Sequence, residues 1–232
     1  MEKNNIVIGI ERPVGSGKTS ICRNILNKIP NSCLVNGGNI YRAIVFAILK
    51  SGKTLEELEK GADDINIKEM MDFLNVKIDF ENKETILKIG DDKILEENLQ
   101  SPDVSMAVSK ISGSAKNKEL FLFARDLIKD LSKKYNVIVA GRSLMVIYPD
   151  LDYHLFITAS LEERVRRKCI QYNVDINSKE GLDIKNNVET RDLLQEKSGY
   201  YKIYDNTIVL DVTHTTSVEE STNLVLKTIN LI

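Results

Sequence analysis

The amino-acid sequence predicts an α/β fold built on a doubly wound parallel sheet, with a small antiparallel insert. Short apolar segments rich in β-branched residues alternate five times with amphipathic helical segments. That alternation is typical of a parallel sheet covered by helices on both faces. One stretch with a period of two residues interrupts it and indicates an antiparallel hairpin. The 232 residues are enough for one such domain with an insert.

The first predicted strand leads into a glycine-rich turn, in the sequence I-V-I-G-I-E-R-P-V-G-S-G-K-T-S at Ile6–Ser20. Gly15 and Gly17 let backbone N–H groups turn around an anion, and Lys18 adds positive charge where the next helix begins. Thr19 supplies a hydroxyl that suits a magnesium ion. A turn that only connects two elements explains the glycines but not the lysine and the threonine. The sequence therefore favours a phosphate-binding loop.

The elements after this loop bring polar side chains to the end of a second strand. The pattern predicts, in order, a helix at Thr19–Ile29, a strand at Ser32–Val35 and a helix at Ile40–Lys50. Tyr41 and Arg42 fall in the first turn of the second helix. Open α/β sheets bind ligands at the carboxyl ends of their strands, so this turn is a candidate binding site.

The middle of the chain holds the predicted insert. Its elements are short helical patterns at 54–59 and 67–74, strands at Val76–Phe80, Thr85–Gly90 and Lys93–Leu95, and a helix opened by Ser101-Pro102-Asp103 with Val104, Ala107 and Val108 as its apolar face. Antiparallel strands inside an alternating strand and helix pattern indicate an inserted subdomain.

The second half returns to the alternating pattern. The predicted elements are a helix at Lys118–Lys133, strands at Asn136–Ala140 and Asp152–Thr158, a helix opened by a capping box at Ser160 and Glu163, a helix at Asp183–Glu196, a strand at Thr207–Leu210, and a closing helix opened by a capping box at Thr216 and Glu219. Several basic side chains here have two interpretations, a solvated surface or a functional site. They are Lys118, Arg125, Arg164, Arg166 and Arg167.

Composition narrows the class of protein. The 32 basic and 34 acidic side chains nearly cancel, so no global field attracts nucleic acid or an anionic membrane. Three cysteines without metal-ligand spacing are typical of reduced thiols. The residues before the first strand are few and polar, and no apolar run reaches membrane-spanning length. We therefore expect a cytoplasmic protein, and a monomer is the default expectation.

The motifs occur in an order that resembles the bacterial cytidylate kinases. They are G-S-G-K-T, Y-R-A, S-P-D-V-S-x-A-V-S-K, the G-R after the middle strand, the E-E-R helix and a late R-D. The resemblance runs from about Ile6 to Ile232, and its most diagnostic piece is Ser101–Ser109. The G-Y-Y-K near Tyr200 is more like a divergent cytidylate kinase-like branch.

This resemblance implies a P-loop nucleoside-monophosphate kinase. Residues 1–232 would form a single domain, with a monophosphate-binding insert at 63–116 and an arginine-rich lid at 161–200. The implied reaction transfers a phosphoryl group from ATP to CMP or dCMP, with Mg²⁺ bound to the ATP. No general base is required, because this chemistry depends mainly on positioning and on charge neutralisation.

The resemblance also implies roles for individual residues. The ATP phosphates would be bound by Gly15, Ser16, Gly17, Lys18, Thr19 and Ser20, with Thr19 also binding the magnesium ion. The monophosphate would be bound by Asn36, Arg42, Ser109, Lys118, Arg142, Ser143 and Arg191. Catalytic roles fall to Lys18, Arg142, Arg164 and Arg167. Arginine forks match phosphate oxygens, which agrees with these assignments.

The sequence departs from the family pattern at positions in the expected site. Arg12 replaces the first glycine of the loop, Asn36 and Ser143 replace aspartates, and Gln195 and Ser198 replace an acidic and a basic residue. Ser143 either faces the base or only caps the turn after Arg142. Two other functions therefore stay open, a P-loop kinase of another small acceptor and an ATP-binding regulator without kinase activity.

Overall fold

The computed structural model describes residues 5–13, 15–52, 71–99, 101, 103–104, 107–108, 118–197, 199 and 202–231. The strands are β1 (Val7–Glu11), β2 (Ser32–Asn36), β3 (Val76–Glu81), β4 (Glu84–Ile89), β5 (Asp92–Lys93), β6 (Asn136–Ala140), β7 (Tyr153–Thr158) and β8 (Thr207–Asp211). The helices are α1 (Lys18–Lys28), α2 (Gly37–Lys50), α3 (Glu96–Leu99), α4 (Lys118–Ser132), α5 (Leu144–Ile147), α6 (Leu161–Tyr172), α7 (Lys179–Lys197) and α8 (Val218–Thr228).

The described strands form one eight-stranded sheet in the order β3-β4-β2-β6-β1-β7-β8, with β5 paired to β4. Strands β2, β6, β1, β7 and β8 run parallel to one another. β1 lies in the middle of this parallel part, with Ile8 paired to Ile138 on one side and to Tyr153 on the other. The predicted parallel α/β sheet is confirmed.

The two faces of this sheet carry separate hydrophobic cores because successive strand residues point to opposite sides. Val7 packs with the buried face of α2 on one side of the sheet. Ile8 and Ile10 pack with the apolar faces of α1 and α8 on the other side. All three side chains are fully buried. This arrangement explains why β1 is apolar throughout instead of alternating apolar and polar residues.

The predicted antiparallel hairpin is present as β3 and β4, and it joins the edge of the main sheet. β4 runs parallel to β2 through one register pair, Leu34 with Glu84. The Leu34 N–H donates to the Lys83 carbonyl at 2.8 Å, and the Asn36 N–H donates to Thr85 Oγ1 at 3.2 Å. The third strand of the insert is β5, which lies earlier than the predicted Lys93–Leu95. The limits of an insert at 63–116 stay a prediction.

Two helices begin earlier than the sequence pattern predicts. α2 begins at Gly37 instead of Ile40, since Gly37 and Gly38 are helical although adjacent glycines are typical of a turn. α7 begins at Lys179 instead of Asp183 because Ser178 starts it, with its hydroxyl accepting from the Gly181 N–H at 3.1 Å. Gly181 obscured the helical pattern in the sequence, because glycine is unfavourable inside a helix. The predicted helix at 54–59 lies outside the described residues.

The capping box predicted at the start of α6 is only half correct. The Ser160 hydroxyl accepts from the Glu163 N–H at 3.2 Å, as an N-cap does. The Glu163 carboxylate does not return to Ser160, whose N–H instead donates to Thr213 Oγ1 at 2.8 Å. The Glu163 carboxylate instead accepts hydrogen bonds from Arg166 and Arg167 and so orients the basic side chains of the helix.

The capping box predicted for α8 is wrong by one residue. Ser217 is the N-cap, and its hydroxyl accepts from the Glu220 N–H at 3.1 Å. The Glu220 carboxylate accepts from the Thr216 N–H at 2.7 Å. Adjacent Thr and Ser residues, each with a Glu three positions later, made the two registers indistinguishable in the sequence.

None of the described helices is both long enough and apolar enough to span a bilayer.

Candidate functional site

The glycine-rich loop follows the carboxyl end of β1 and leads into α1, which begins at Lys18. Gly15 and Gly17 both have left-handed backbones, with φ of 84° and 83°. Side chains are strained there, so these two positions need glycine. A Cβ on Gly15 would lie 3.2 Å from both Cβ and the carbonyl oxygen of Arg164. The loop therefore packs directly against α6. The Lys18 and Thr19 side chains lie outside the part of the chain that the structure describes.

The structure accommodates Arg12 at the position where the loop motif has its first glycine. Arg12 is not among the residues with a positive φ, so its backbone does not need glycine. Its Nη1 donates to the Ser16 hydroxyl at 3.4 Å, and that hydroxyl donates to the Pro13 carbonyl at 2.9 Å. The arginine side chain thus lies along the loop and leaves the loop backbone in place.

Three predicted acceptor-site arginines lie near one another, although they come from separate parts of the chain. Burial is the main cause that holds the pKa of the Arg42 guanidinium below its usual range. The positive charge of Arg191 lowers this pKa further, Glu96 raises it, and Arg142 lowers it by a smaller amount. The geometry agrees for two of them, because Arg142 contacts Gln195, which lies one turn after Arg191 on α7. The three arginines therefore concentrate positive charge in one part of the fold, which suits a polyanion.

Two of these arginines have neutral hydrogen-bond partners. Arg42 Nη1 donates to the Leu99 carbonyl at 2.9 Å, which connects α2 to the end of α3. Arg142 Nη1 donates to Gln195 Oε1 on α7. Neither of these acceptors is a carboxylate, so a phosphate group could replace them without displacing an ion pair at these two contacts.

Asn36 lies at the carboxyl end of β2, in register with Ala140 at the end of β6. Its Oδ1 is buried and accepts no hydrogen bond from the residues that the structure describes. A buried carbonyl oxygen without a donor is uncommon, because it loses hydration without compensation. Asn36 therefore offers an acceptor at the carboxyl ends of the strands, where Arg142 follows β6.

Ser143 occupies the capping position after Arg142, as one interpretation predicts, but its side chain does not make the cap. It is the N-cap of the short helix α5, yet its hydroxyl makes no capping hydrogen bond. Its φ is 52°, a left-handed conformation in which serine is less favoured than glycine, asparagine or aspartate. The backbone N–H of Ser143 instead donates to the Glu11 carboxylate at 3.2 Å.

Arg164, predicted to be a lid residue, is buried and holds two helices together. Its side chain is 9 % exposed. Its Nε donates to the Ala159 carbonyl at 3.0 Å and its Nη1 to Asp192 on α7 at 2.6 Å. The interpretation as a solvated surface residue is wrong for Arg164, and these contacts give it a role in packing α6 against α7.

Arg167 lies beside the phosphate loop. Its Nε donates to Glu163 and its Nη2 to the Val212 carbonyl, both at 2.7 Å. Its Nη1 is 4.0 Å from the position that a Cβ on Gly17 would occupy. Arg166, the neighbouring residue, has an exposed side chain that pairs with Glu163, as a surface interpretation predicts. Arg167 thus places a guanidinium nitrogen beside Gly17 of the loop.

The remaining predicted site residues are only partly described. Arg125 on α4 donates to the carbonyls of Ile147 at 2.8 Å and Val146 at 3.2 Å, so it stabilises the end of α5 instead of forming a solvated basic face. Ser109 lies outside the described residues, and so does the Lys118 side chain. Their predicted contacts with the base stay predictions.

A buried polar network that the sequence did not predict lies beneath this site. Glu11 at the end of β1 and His154 on β7 are 3 % and 2 % exposed, and Glu11 Oε1 lies 3.1 Å from His154 Nε2. The signal in the sequence was a Glu that ends the apolar run I-V-I-G-I-E and a His inside Y-H-L-F-I-T. Charged and titratable residues are rare in fully buried strands.

The donor set fits a magnesium ion that is bound together with a nucleotide. Within the described ranges, no three His, Cys, Asp or Glu side chains gather as a protein-only metal cage. Mg²⁺ commonly takes one or two protein ligands and completes its shell with water and substrate phosphates. A single hydroxyl at the start of α1, which Thr19 provides in the sequence, is sufficient for that mode of binding.

Comparison with known proteins agrees with this geometry. The family model described as cytidylate kinase matches residues 8–231. A cytidylate kinase of Clostridium botulinum strain Langeland is 33 % identical over 165 residues, which cover 71 % of this chain and 69 % of the relative. A cytidylate kinase of Caldicellulosiruptor saccharolyticus is 29 % identical over 231 residues, 98 % of this chain and 96 % of the relative. The match spans the phosphate loop, the arginine cluster and both helices that hold Arg164, and on this basis the chain belongs to the cytidylate kinase family.

Proposed function

We propose that this protein transfers the terminal phosphoryl group of ATP to CMP or dCMP and releases ADP and the nucleoside diphosphate. Membership of the family makes it an ATP-dependent nucleoside-monophosphate kinase. The observation that supports the acceptor site most directly is the contact of Arg142 with Gln195, one turn after Arg191 on α7, and the charges of both arginines also lower the pKa of Arg42. A nucleoside monophosphate carries a compact dianion, which is the charge that such a cluster attracts.

The donor side of the reaction uses the loop between β1 and α1. Backbone N–H groups of the loop and Lys18 bind the ATP phosphates, and the position of Arg167 near Gly17 adds a second cation. Thr19 would hold a magnesium ion, which would neutralise part of the phosphate charge. Together these groups orient the terminal phosphorus towards the acceptor.

The acceptor side aligns the attacking oxygen. Arg42, Arg142 and Arg191 bind the phosphate of the monophosphate so that one of its oxygens faces the terminal phosphorus of ATP. That oxygen forms the new P–O bond while the bond to the bridging oxygen of ADP breaks. Most of the rate enhancement then comes from holding two polyanions in line, which their mutual repulsion opposes in water.

Turnover with different acceptors tests this proposal. ADP release should be measured with CMP, dCMP, UMP, AMP and GMP, each at saturating ATP. We expect CMP or dCMP to have the highest kcat/KM. Turnover only with an acceptor that is not a nucleotide would indicate the alternative small-molecule kinase, and ATP binding without turnover would indicate the regulator. Either result would refute the proposal.

Arg142 allows a second test of the acceptor site. The Arg142→Ala variant loses a charge-assisted contact with phosphate, worth about 2 to 3 kcal/mol. We expect most of this loss as a higher KM for the monophosphate, with the KM for ATP little changed. Equal increases in both constants would contradict the assignment of Arg142 to the acceptor.

Base specificity depends in this proposal on Ser143, Ser109 and Lys118. A carboxylate only accepts hydrogen bonds, so it favours the exocyclic amino group of cytosine over the carbonyl of uracil, whereas a serine hydroxyl can do either. Ser143→Asp should therefore raise the CMP:UMP ratio of kcat/KM by about tenfold. Aspartate also tolerates the left-handed backbone of position 143. An unchanged ratio would mean that this side chain does not contact the base.

A further inference from the structure

A buried carboxylate lies between the phosphate loop and the turn that carries Arg142. Glu11 ends β1 and is 3 % exposed. Its Oε2 accepts from the Ser143 N–H at 3.2 Å, and its Oε1 accepts from the Leu144 N–H at 2.6 Å. Burying a carboxylate is costly unless hydrogen bonds compensate for lost hydration. The compensation at Glu11 comes mainly from the turn after β6.

A second polar group fixes the orientation of this carboxylate. His154 Nε2 donates to Glu11 Oε1 at 3.1 Å, and Thr207 Oγ1 lies 2.8 Å from His154 Nδ1. The Tyr204 N–H donates to the same Thr207 oxygen at 2.9 Å. The network therefore connects β1, β7 and the start of β8, three neighbouring strands. Such a connected set of hydrogen bonds holds each member in one position.

The turn needs this support because its backbone is strained. Ser143 has a φ of 52°, a left-handed conformation that is unfavourable for residues other than glycine, asparagine and aspartate. The two N–H groups held by Glu11 belong to Ser143 and to the residue after it. Arg142 directly precedes them, so the direction of its side chain depends on the same turn.

We propose that Glu11, supported by His154, is a positioning residue that holds Arg142 in a fixed position relative to the phosphate loop. The proposal rests on the proposed contact of Arg142 with the acceptor phosphate. Glu11 is the last residue of β1, and the loop follows it directly. One carboxylate thus connects the strand that leads into the donor site with the turn that carries an acceptor-site arginine.

A second carboxylate, which contacts the other end of β1, provides a matched control. Asp152 Oδ2 accepts from the Val7 N–H at 2.7 Å, at the opposite end of β1. Both contacts join a carboxylate to a backbone N–H. Only the one at Glu11 lies at the carboxyl end of β1, where the loop begins, and reaches the turn after Arg142. Asp152→Asn should therefore perturb the strand without changing the acceptor site.

Glutamine at position 11 keeps the shape of the side chain but replaces one acceptor oxygen by an NH₂ donor. That donor would face the N–H of either Ser143 or Leu144, so the turn loses one contact. We expect Glu11→Gln to raise the KM for CMP by about fivefold or more, and the KM for ATP by less than about twofold. Asp152→Asn should leave both constants within about twofold of wild type.

A double-mutant cycle separates positioning from general destabilisation. If Glu11 acts through Arg142, Glu11→Gln adds no further increase to the KM for CMP in the Arg142→Ala background. An equal increase in both backgrounds would overturn the proposal, as would an equal change in the KM for ATP. If Glu11→Gln does not fold, His154→Gln serves as the second variant, and the same non-additivity with Arg142→Ala is expected.

The position of Arg142 is also measured without turnover, which separates this proposal from the proposed function. The ¹⁵N–¹H resonance of the Arg142 Nε–Hε group should shift in Glu11→Gln and stay unchanged in Asp152→Asn. Failure of the wild type to phosphorylate any monophosphate would refute the proposed function, while a shifted resonance would still support the positioning of Arg142 by Glu11. An unshifted resonance in Glu11→Gln would overturn it.

Discussion

Two arginines of α6 have similar sequence surroundings but different contacts, and replacing them should have different effects on stability. Arg164→Met keeps the apolar stem of the side chain and removes its guanidinium. The variant loses the hydrogen bonds to Ala159 and Asp192. The first contact is worth about 1 kcal/mol and the second, between charged groups, about 1.5 to 3 kcal/mol. We therefore expect the free energy of unfolding to fall by about 3 kcal/mol.

The expected loss is below the largest values known for broken buried ion pairs. Asp192 keeps 22 % of its side chain exposed, so water can partly solvate it after the arginine is removed. For a chain of this length, 1 kcal/mol corresponds to about 2 to 4 °C in the unfolding midpoint. Thermal unfolding followed by circular dichroism should therefore show a decrease of about 6 to 12 °C for Arg164→Met.

Arg166→Met is the matched control, because its side chain is 53 % exposed and pairs with Glu163 at the surface. Exposed ion pairs contribute about 0 to 1 kcal/mol, so the midpoint should fall by at most a few degrees. Equal shifts in the two variants would refute the structural role of Arg164. An unchanged midpoint with a strongly raised KM for ATP would instead support the direct contact with ATP that the sequence resemblance implies.

Three further variants test the donor side of the site and its charge. Lys18→Ala should lower kcat by orders of magnitude with no loss of folding, and wild-type turnover would remove this lysine from the mechanism. Arg167→Ala should raise the KM for ATP by about tenfold while the KM for CMP stays within about twofold, and the reverse pattern would place Arg167 on the acceptor side. Hydrogen bonds from Arg166, and then from Arg167, lower the pKa of Glu163 from its ordinary 4.5 to about 2. A lowered pKa in the folded state stabilises the fold above pH 4.5 and loses that effect as the pH falls towards 2. The unfolding free energies of wild type and Glu163→Gln should therefore converge over this range in acid titrations of stability, and a constant difference would contradict the lowered pKa.

The strands were the most predictable part of the fold. β1, β6 and β7 are buried on both faces, so each is a short, continuous apolar run between polar turns. β6 occupies the predicted Asn136–Ala140, and β7 begins one residue after its predicted start. The pairing of the hairpin with β2 was not predictable, because it depends on one register pair between residues 50 positions apart in sequence, Leu34 and Glu84.

The candidate site was predictable where a residue acts through its own chemistry. The left-handed backbones of Gly15 and Gly17 follow from the glycine-rich motif itself. The roles of Arg42, Arg142 and Arg191 came from the resemblance to the cytidylate kinases and stay predictions, although arginine suits phosphate. The structural use of Arg164 depends on the partner that meets it from α7, and the sequence contains no signal of that pairing. The Glu11 network joins residues that are 143 and 132 positions apart, and only the folded sheet brings them together.

If Arg142 binds the acceptor phosphate as proposed, its contact with Gln195 connects acceptor binding to the position of α7. Arg142 follows a strand of the sheet, whereas Gln195 belongs to α7. A phosphate that accepts from Nη1 of Arg142 would replace this contact, so α7 would lose one attachment to the turn after β6. By linkage, any change that pulls α7 away from the sheet should make the acceptor bind more tightly to Arg142. Through the amide of Gln195, acceptor binding at Arg142 and the position of α7 would then be thermodynamically linked.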